Sequence, residues 1–81
     1  MADRIELTLR PKADVKPMDL QTAERIGRVA RAEAVELRDG GAVFAFSSAP
    51  GDAATVRGNL ELAARFELSA HWHTRYELVT R

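Results

Sequence analysis

Eighty-one residues carry 12 Lys and Arg against 12 Asp and Glu, with no cysteine, so the formal charge is zero. A chain of this length removes only about 60 to 65% of its unfolded surface from water, which gives one compact domain over residues 1–81 and no room for a second. These counts exclude a disulfide framework, a thiolate zinc site and a thiol nucleophile. They also deny the chain the excess of positive charge that a phosphate-backbone binder usually carries.

At 46% hydrophobic, with both signs of charge interspersed, the composition is that of a globular domain and not of a disordered tail. Met1-Ala2-Asp3-Arg4 carries no apolar signal segment and no run approaches membrane-spanning length. With the absence of cysteine, this makes a cytoplasmic protein without membrane contact the expectation.

Arg4 to Arg10 alternates with period two, which predicts a strand that buries Ile5, Leu7 and Leu9 and wets Arg4, Glu6, Thr8 and Arg10. Pro11 ends it, and a polar connector runs to Pro17. From Met18 to Ala32 the period becomes helical, with Ala23, Ile26 and Ala30 in register. Pro17 suits the first turn, and Asp19 suits the positive end of the helix dipole. Arg25, Arg28 and Arg31 recur along one side; a solvated face is the expected reading, since Glu24 one turn before Arg28 can pair with it, and a grip on phosphate or an acidic partner is the alternative. Gly27 lies inside this helix and Gly58 inside the next; close approach of helix to sheet is the expected use of both, and simple tolerance is the alternative.

Val35 to Phe46 reads as two short strands joined by Asp39-Gly40-Gly41, residue types that tolerate the positive φ of a tight hairpin. With either Asp39-Gly40 or Gly40-Gly41 as the loop, Val35, Leu37, Phe44 and Phe46 share the buried face, and Glu36, Arg38, Val43 and Ala45 share the other. In the segment that follows, Ser48 is placed to cap a helix, Pro50 to enter its first turn and Asp52 to complement its dipole. The same helix start could receive an anion, but no phosphate-loop lysine follows and Asp52 repels one.

The second helix is expected from Gly51 to Phe66, with Val56, Leu60 and Ala63 inward and Arg57, Glu61 and Arg65 as an i, i+4 charge ladder outside. Leu62 and Phe66 lie to one side of the apolar arc. Packing against the first helix is the expected use of them, and an exposed partner-binding ridge is the alternative. Ser69 to Arg81 alternates again, with Ala70, Trp72, Thr74, Tyr76 and Leu78 on one face and His71, His73, Arg75 and Glu77 on the other. As one strand it would reach roughly 43 Å and overhang the sheet.

Strand, helix, strand, strand, helix, strand, with right-handed crossovers, is the order of an α+β ferredoxin-like two-layer sandwich. It has a four-stranded antiparallel sheet, order 4-1-3-2, with two helices on one face. Within that order, Asp39 to Phe46 followed by Ser47 to Val56 resembles the third strand and second helix of the RNA-recognition motif, and the resemblance covers the element order over most of the chain. It implies RNA bound on the open sheet face. Position by position, the family's basic first residue falls on Asp39, its stacking aromatics on Gly41 and Val43, and its first-strand aromatic near Glu6; Gly40, Ala42 and Phe46 agree. Since Phe44, Phe46, Phe66, Trp72 and Tyr76 are all placed on the helix side, RNA binding would rest on Arg10, Arg38, Arg75 and the histidines without a stacking platform. The skeleton also resembles small-molecule-sensing regulatory modules, which usually dimerise.

His71 and His73, one residue apart on a strand, could reach one metal ion, with Glu6 on the neighbouring strand as the evident third ligand. Zinc normally takes three or four protein ligands, so the pair by itself is a weak signal and no cofactor is expected. No carboxylate pair, nucleophile-base arrangement or glycine-rich phosphate loop appears, so catalysis is not expected either. The expected function is a small non-catalytic interaction module that binds a protein partner, or a second copy in a homodimer. It would do so through the C-terminal edge strand and the charged sheet face, using His71, His73, Arg75, Glu77, Arg10, Arg38 and Glu36. Nucleic-acid binding and a metal-dependent activity at His71 and His73 are the alternatives.

Overall fold

A computed structural model describes residues 3–48 and 52–80. Its elements are β1 (Asp3–Pro11), α1 (Leu20–Ala30), β2 (Ala34–Arg38), β3 (Gly41–Ser48), α2 (Ala53–Glu67), a short 3-10 turn (Trp72–Thr74) and β4 (Tyr76–Thr80). The sheet is antiparallel with order β2-β3-β1-β4, and both helices cover one face, as in a ferredoxin-like sandwich.

Asp39 and Gly40 form the two-residue hairpin loop, both with positive φ, and the pairing that follows sets Val35 against Phe44 and Leu37 against Ala42. This is the register in which the apolar side chains of the hairpin point toward the helices. Phe44, Leu7, Leu9, Ile26 and Leu60 are the largest fully buried side chains, so the middle of the core is where β1 and β3 meet the two helices. Trp72 and Tyr76 are also buried, as expected.

Leu37 is a correction: it is 40% exposed, because β2 is an edge strand of the sheet. Met18, Ala42 and Ala64 join the core instead. Val43 and Ala45 are also buried, although they lie on the face away from the helices. They sit on an inner strand between Glu36 and Ala34 on one side and Thr8 and Glu6 on the other, where the stems of longer neighbouring side chains shield them.

Gly27 does allow close packing, since a Cβ there would run into Val35 Cγ2 and lie 3.6 Å from Phe44 Cδ1. Gly58 does not: nothing lies within 4 Å of its missing Cβ, which faces open space. Helix starts also differ from expectation. Asp19 is the cap of α1, accepting from the Thr22 N–H at 2.7 Å, and Pro17 lies before it. Ser48 ends β3 and Asp52 precedes α2, while Pro50 lies outside the described residues.

The two glycines give opposite expectations. Gly27→Ala should destabilise by about 1 to 3 kcal/mol, because the β-branched Val35 cannot swing away. Gly58→Ala should stabilise by up to about 1 kcal/mol. Urea denaturation of both variants measures the contrast.

Asp19 gives a pH expectation. The Thr22 backbone N–H first, then its side chain, hold the carboxyl below its ordinary value of 3.8; desolvation opposes them and the charge of Arg25 adds the least. A folded value below the unfolded one means that the cap stabilises α1 above the unfolded value. That contribution is lost as pH falls through the folded value. Asp19→Asn should flatten this part of an acid-unfolding profile.

Candidate functional site

The expected site residues separate into two groups. Arg10, Glu77, Arg38 and Glu36 lie on the open sheet face, whereas His71, His73 and Arg75 lie off the sheet, in and beside the 3-10 turn. The 13-residue strand is therefore a correction, for only Tyr76–Thr80 is strand. Before it, Trp72 N–H bonds to Ser69 C=O, Thr74 N–H to His71 C=O and Arg75 N–H to Trp72 C=O, at 3.0 to 3.2 Å, and the His71 N–H bonds to Ser69 Oγ. Trp72 and Tyr76 are four residues apart, so a turn of helix buries both as readily as a strand does. Thr74 tells the two apart, since a strand would bury it and it is exposed.

Loss of the strand also undoes the shared sheet face proposed for the two imidazoles. The His73 ring meets Trp72 edge-on, with centroids 6.1 Å apart, and its carbonyl accepts from Lys12 Nζ. Among the described residues no group of three or more His, Cys, Asp or Glu is placed to hold a metal ion.

The charges of the open face are paired. Arg10 Nε donates to Glu77 Oε1 at 2.7 Å across the β1–β4 ladder, Arg38 Nη2 to Glu36 Oε2 at 3.1 Å, and Arg4 Nε lies 3.5 Å from Glu6 Oε2. Such exposed pairs contribute only about 0 to 1 kcal/mol each to stability, but they neutralise the face. The positions that correspond to stacking rings in the RNA-recognition motif, Gly41, Val43 and Glu6, do lie on or pair across this face and carry no ring. Four of the five aromatics are buried, and Phe66 lies on the outside of α2.

β4 is the outermost strand beside β1. An antiparallel ladder alternates bonded and non-bonded pairs, and the 2.8 Å bond from Lys12 N–H to Arg75 C=O sets its phase. Arg75, Glu77 and Val79 therefore turn their backbone groups toward β1, and Tyr76, Leu78 and Thr80 turn theirs outward. Arg57 reaches from α2 over this edge, donating to Thr80 Oγ1 at 3.0 Å and to Leu78 C=O at 3.5 Å.

Along the same edge runs an open groove of about 930 Å³ between α2 and β4, bounded by Trp72, Tyr76 and Leu78 on one side and by Arg57, Gly58 and Glu61 on the other. The bare Gly58 widens it. A second, smaller hollow of about 240 Å³ on the open face touches Thr8, Arg10 and Val79. Sequence reasoning identified the edge but not the groove, whose only signal was a glycine on the polar side of a helix.

No protein-family model matches the chain, and neither curated proteins nor solved structures show a match. Among the described residues no helix is long and apolar enough to cross a membrane.

The phase of the β4 ladder is open to measurement. In the free protein, amide hydrogen exchange should alternate, slow at Glu77 and Val79 and fast at Leu78 and Thr80; uniform protection along the strand would mean that the outer edge is already covered.

Proposed function

We propose that this chain is a non-catalytic interaction module that takes an extended segment of another protein as a fifth strand along β4. The observation that carries the reading is the outward row of backbone groups at Tyr76, Leu78 and Thr80 beside the open groove under α2. Main-chain bonds to these groups would supply affinity. Every second side chain of the added strand would enter the groove against Trp72, Tyr76 and Leu78 and so supply selectivity. Arg57, which holds one outward carbonyl, would discourage promiscuous pairing and yield its place to the partner. The charged pair Arg10 on β1 and Glu77 on β4, on the other face of the sheet, would set the charge pattern of the partner's outward side chains.

A second copy of the chain could supply the added strand, but the groove's mixed lining does not select it over another protein. Nucleic-acid binding by the sheet face is the weaker reading, because Arg10 and Arg38 already bond to Glu77 and Glu36.

Two substitutions isolate the edge. Thr80→Pro removes an outward N–H and leaves the ladder to β1 intact, since proline is tolerated where the N–H faces away from the sheet. Gly58→Leu projects into open space and fills the groove while favouring the helix. Proteins retained by the wild-type chain from native lysate should be lost from both variants, with apparent affinity lowered at least about tenfold, and both variants should keep the wild-type circular dichroism. Retention of the same proteins by both variants would contradict the proposal. So would recovery of material absorbing at 260 nm that is released steeply with salt.

A further inference from the structure

Between the β4 groove and the hollow that separates the two helices, α2 carries an outward crest. Leu62 borders both cavities and is 65% exposed, and Phe66 one turn on is 74% exposed. Beside this apolar row, on the side of β4, runs a charged one: Glu61 and Arg65 are exposed and both border the groove. Each row is a pair of side chains one turn apart, and about 100° of helix surface separates the rows.

The charged row holds one residue of each sign. Neither Glu61 nor Arg65 forms an ion pair among the described residues, whereas Arg25 is held by Glu67 at 3.2 Å. Glu24 and Arg28 border a separate hollow beside β2. A two-fold axis perpendicular to α2, at the level of Ala63 and Ala64, reverses the helix and keeps each row on its own side. It sets Leu62 of one copy against Phe66 of its mate and Glu61 against Arg65, and symmetry repeats both contacts. A parallel pairing would instead lay the charged row of one copy on the apolar row of the other. The midline of the two rows lies on the β4 side of Leu62, so the mate leans away from α1 and its arginines.

We infer that this crest docks a second copy of the chain, α2 against antiparallel α2, in a two-fold dimer. The mixed charge of the crest is what selects that occupant, because an acid and a base four residues apart complement themselves when the helix is reversed. A partner surface of a single sign, an anionic lipid surface included, would set a like charge against Glu61 or against Arg65. A contact of one helix per copy falls below the roughly 1,200 Å² at which standard interfaces begin, so the dimer is weak and forms between about 10 µM and 1 mM protein. It does not rest on strand addition, since the outward backbone groups of β4 lie across the groove from this crest.

Sedimentation velocity of the intact chain over that concentration range is the test. The wild type should pass from monomer to dimer. Phe66→Asp changes an exposed side chain that does not border the β4 groove, and it should weaken association at least about tenfold. Charge swaps examine the register. Glu61→Arg and Arg65→Glu should each self-associate about threefold or more weakly than the wild type, because each sets like charges opposite one another. An equimolar mixture of the two, and the double variant Glu61→Arg/Arg65→Glu, should recover the wild-type strength. Circular dichroism should stay unchanged throughout, since every altered residue is exposed. The inference is overturned by a monomer at about 1 mM, by association that Phe66→Asp leaves unchanged, or by single swaps that stay weak when mixed. It is equally overturned by a dimer that Thr80→Pro dissolves, which would place the contact at the β4 edge, or by retention on phosphatidylserine vesicles that Phe66→Asp abolishes.

Discussion

Two helices cover one side of four strands, and where that cover stops decides what the molecule can offer to a partner. The inner strands β1 and β3 lie fully beneath α1 and α2, so Leu7, Leu9 and Phe44 are shut off from water. α1 settles close to the hairpin because Gly27 presents no side chain to Val35 and Phe44. On the other side α2 presents its bare Gly58 to open space, and a groove stays open along β4. Burial of apolar area, at about 25 cal/mol per Å², drives the first arrangement. The exposed edge and the open groove lie at its margin.

Most of the fold is legible in the chain, because each segment carries one clear period. Alternation over Arg4 to Arg10 and the Asp39-Gly40-Gly41 turn place β1, β2 and β3 and fix which faces are buried, since a slip of one residue would expose the apolar set; which two of the three turn residues form the loop is decided only by the pairing of Val35 with Phe44. The C-terminal segment is where the reading breaks down. Trp72 and Tyr76 satisfy a strand and a helical turn equally, and only the polar Thr74 between them favours the turn. His71 and His73 were placed on a sheet face by that one ambiguity. The exposure of Leu62 and Phe66 is also hidden in the sequence. Whether a flank of α2 meets α1 or water depends on the angle at which the helices settle, which no local pattern encodes.

The surfaces differ in electrostatic character. On the open sheet face, Arg4, Arg10 and Arg38 stand against Glu6, Glu77 and Glu36, a local balance that repeats the neutrality of the whole chain. An approaching phosphate chain would have to compete with carboxylates already in place, and it would find no ring to stack on. On the helix layer Arg25 pairs with Glu67, and Leu62 and Phe66 stand exposed among charges of both signs. Between them, the β4 edge offers backbone groups whose bonding needs no particular charge.

Because β4 is short, strand addition depends on a few outward amides. The most direct measurement is amide hydrogen exchange on the complex with whichever protein the chain retains from lysate. Strand addition predicts marked slowing at Leu78 and Thr80, with Glu36 and Arg38 across the sheet unchanged. Slowing confined to β2, or to the helices with β4 still exchanging freely, would contradict it.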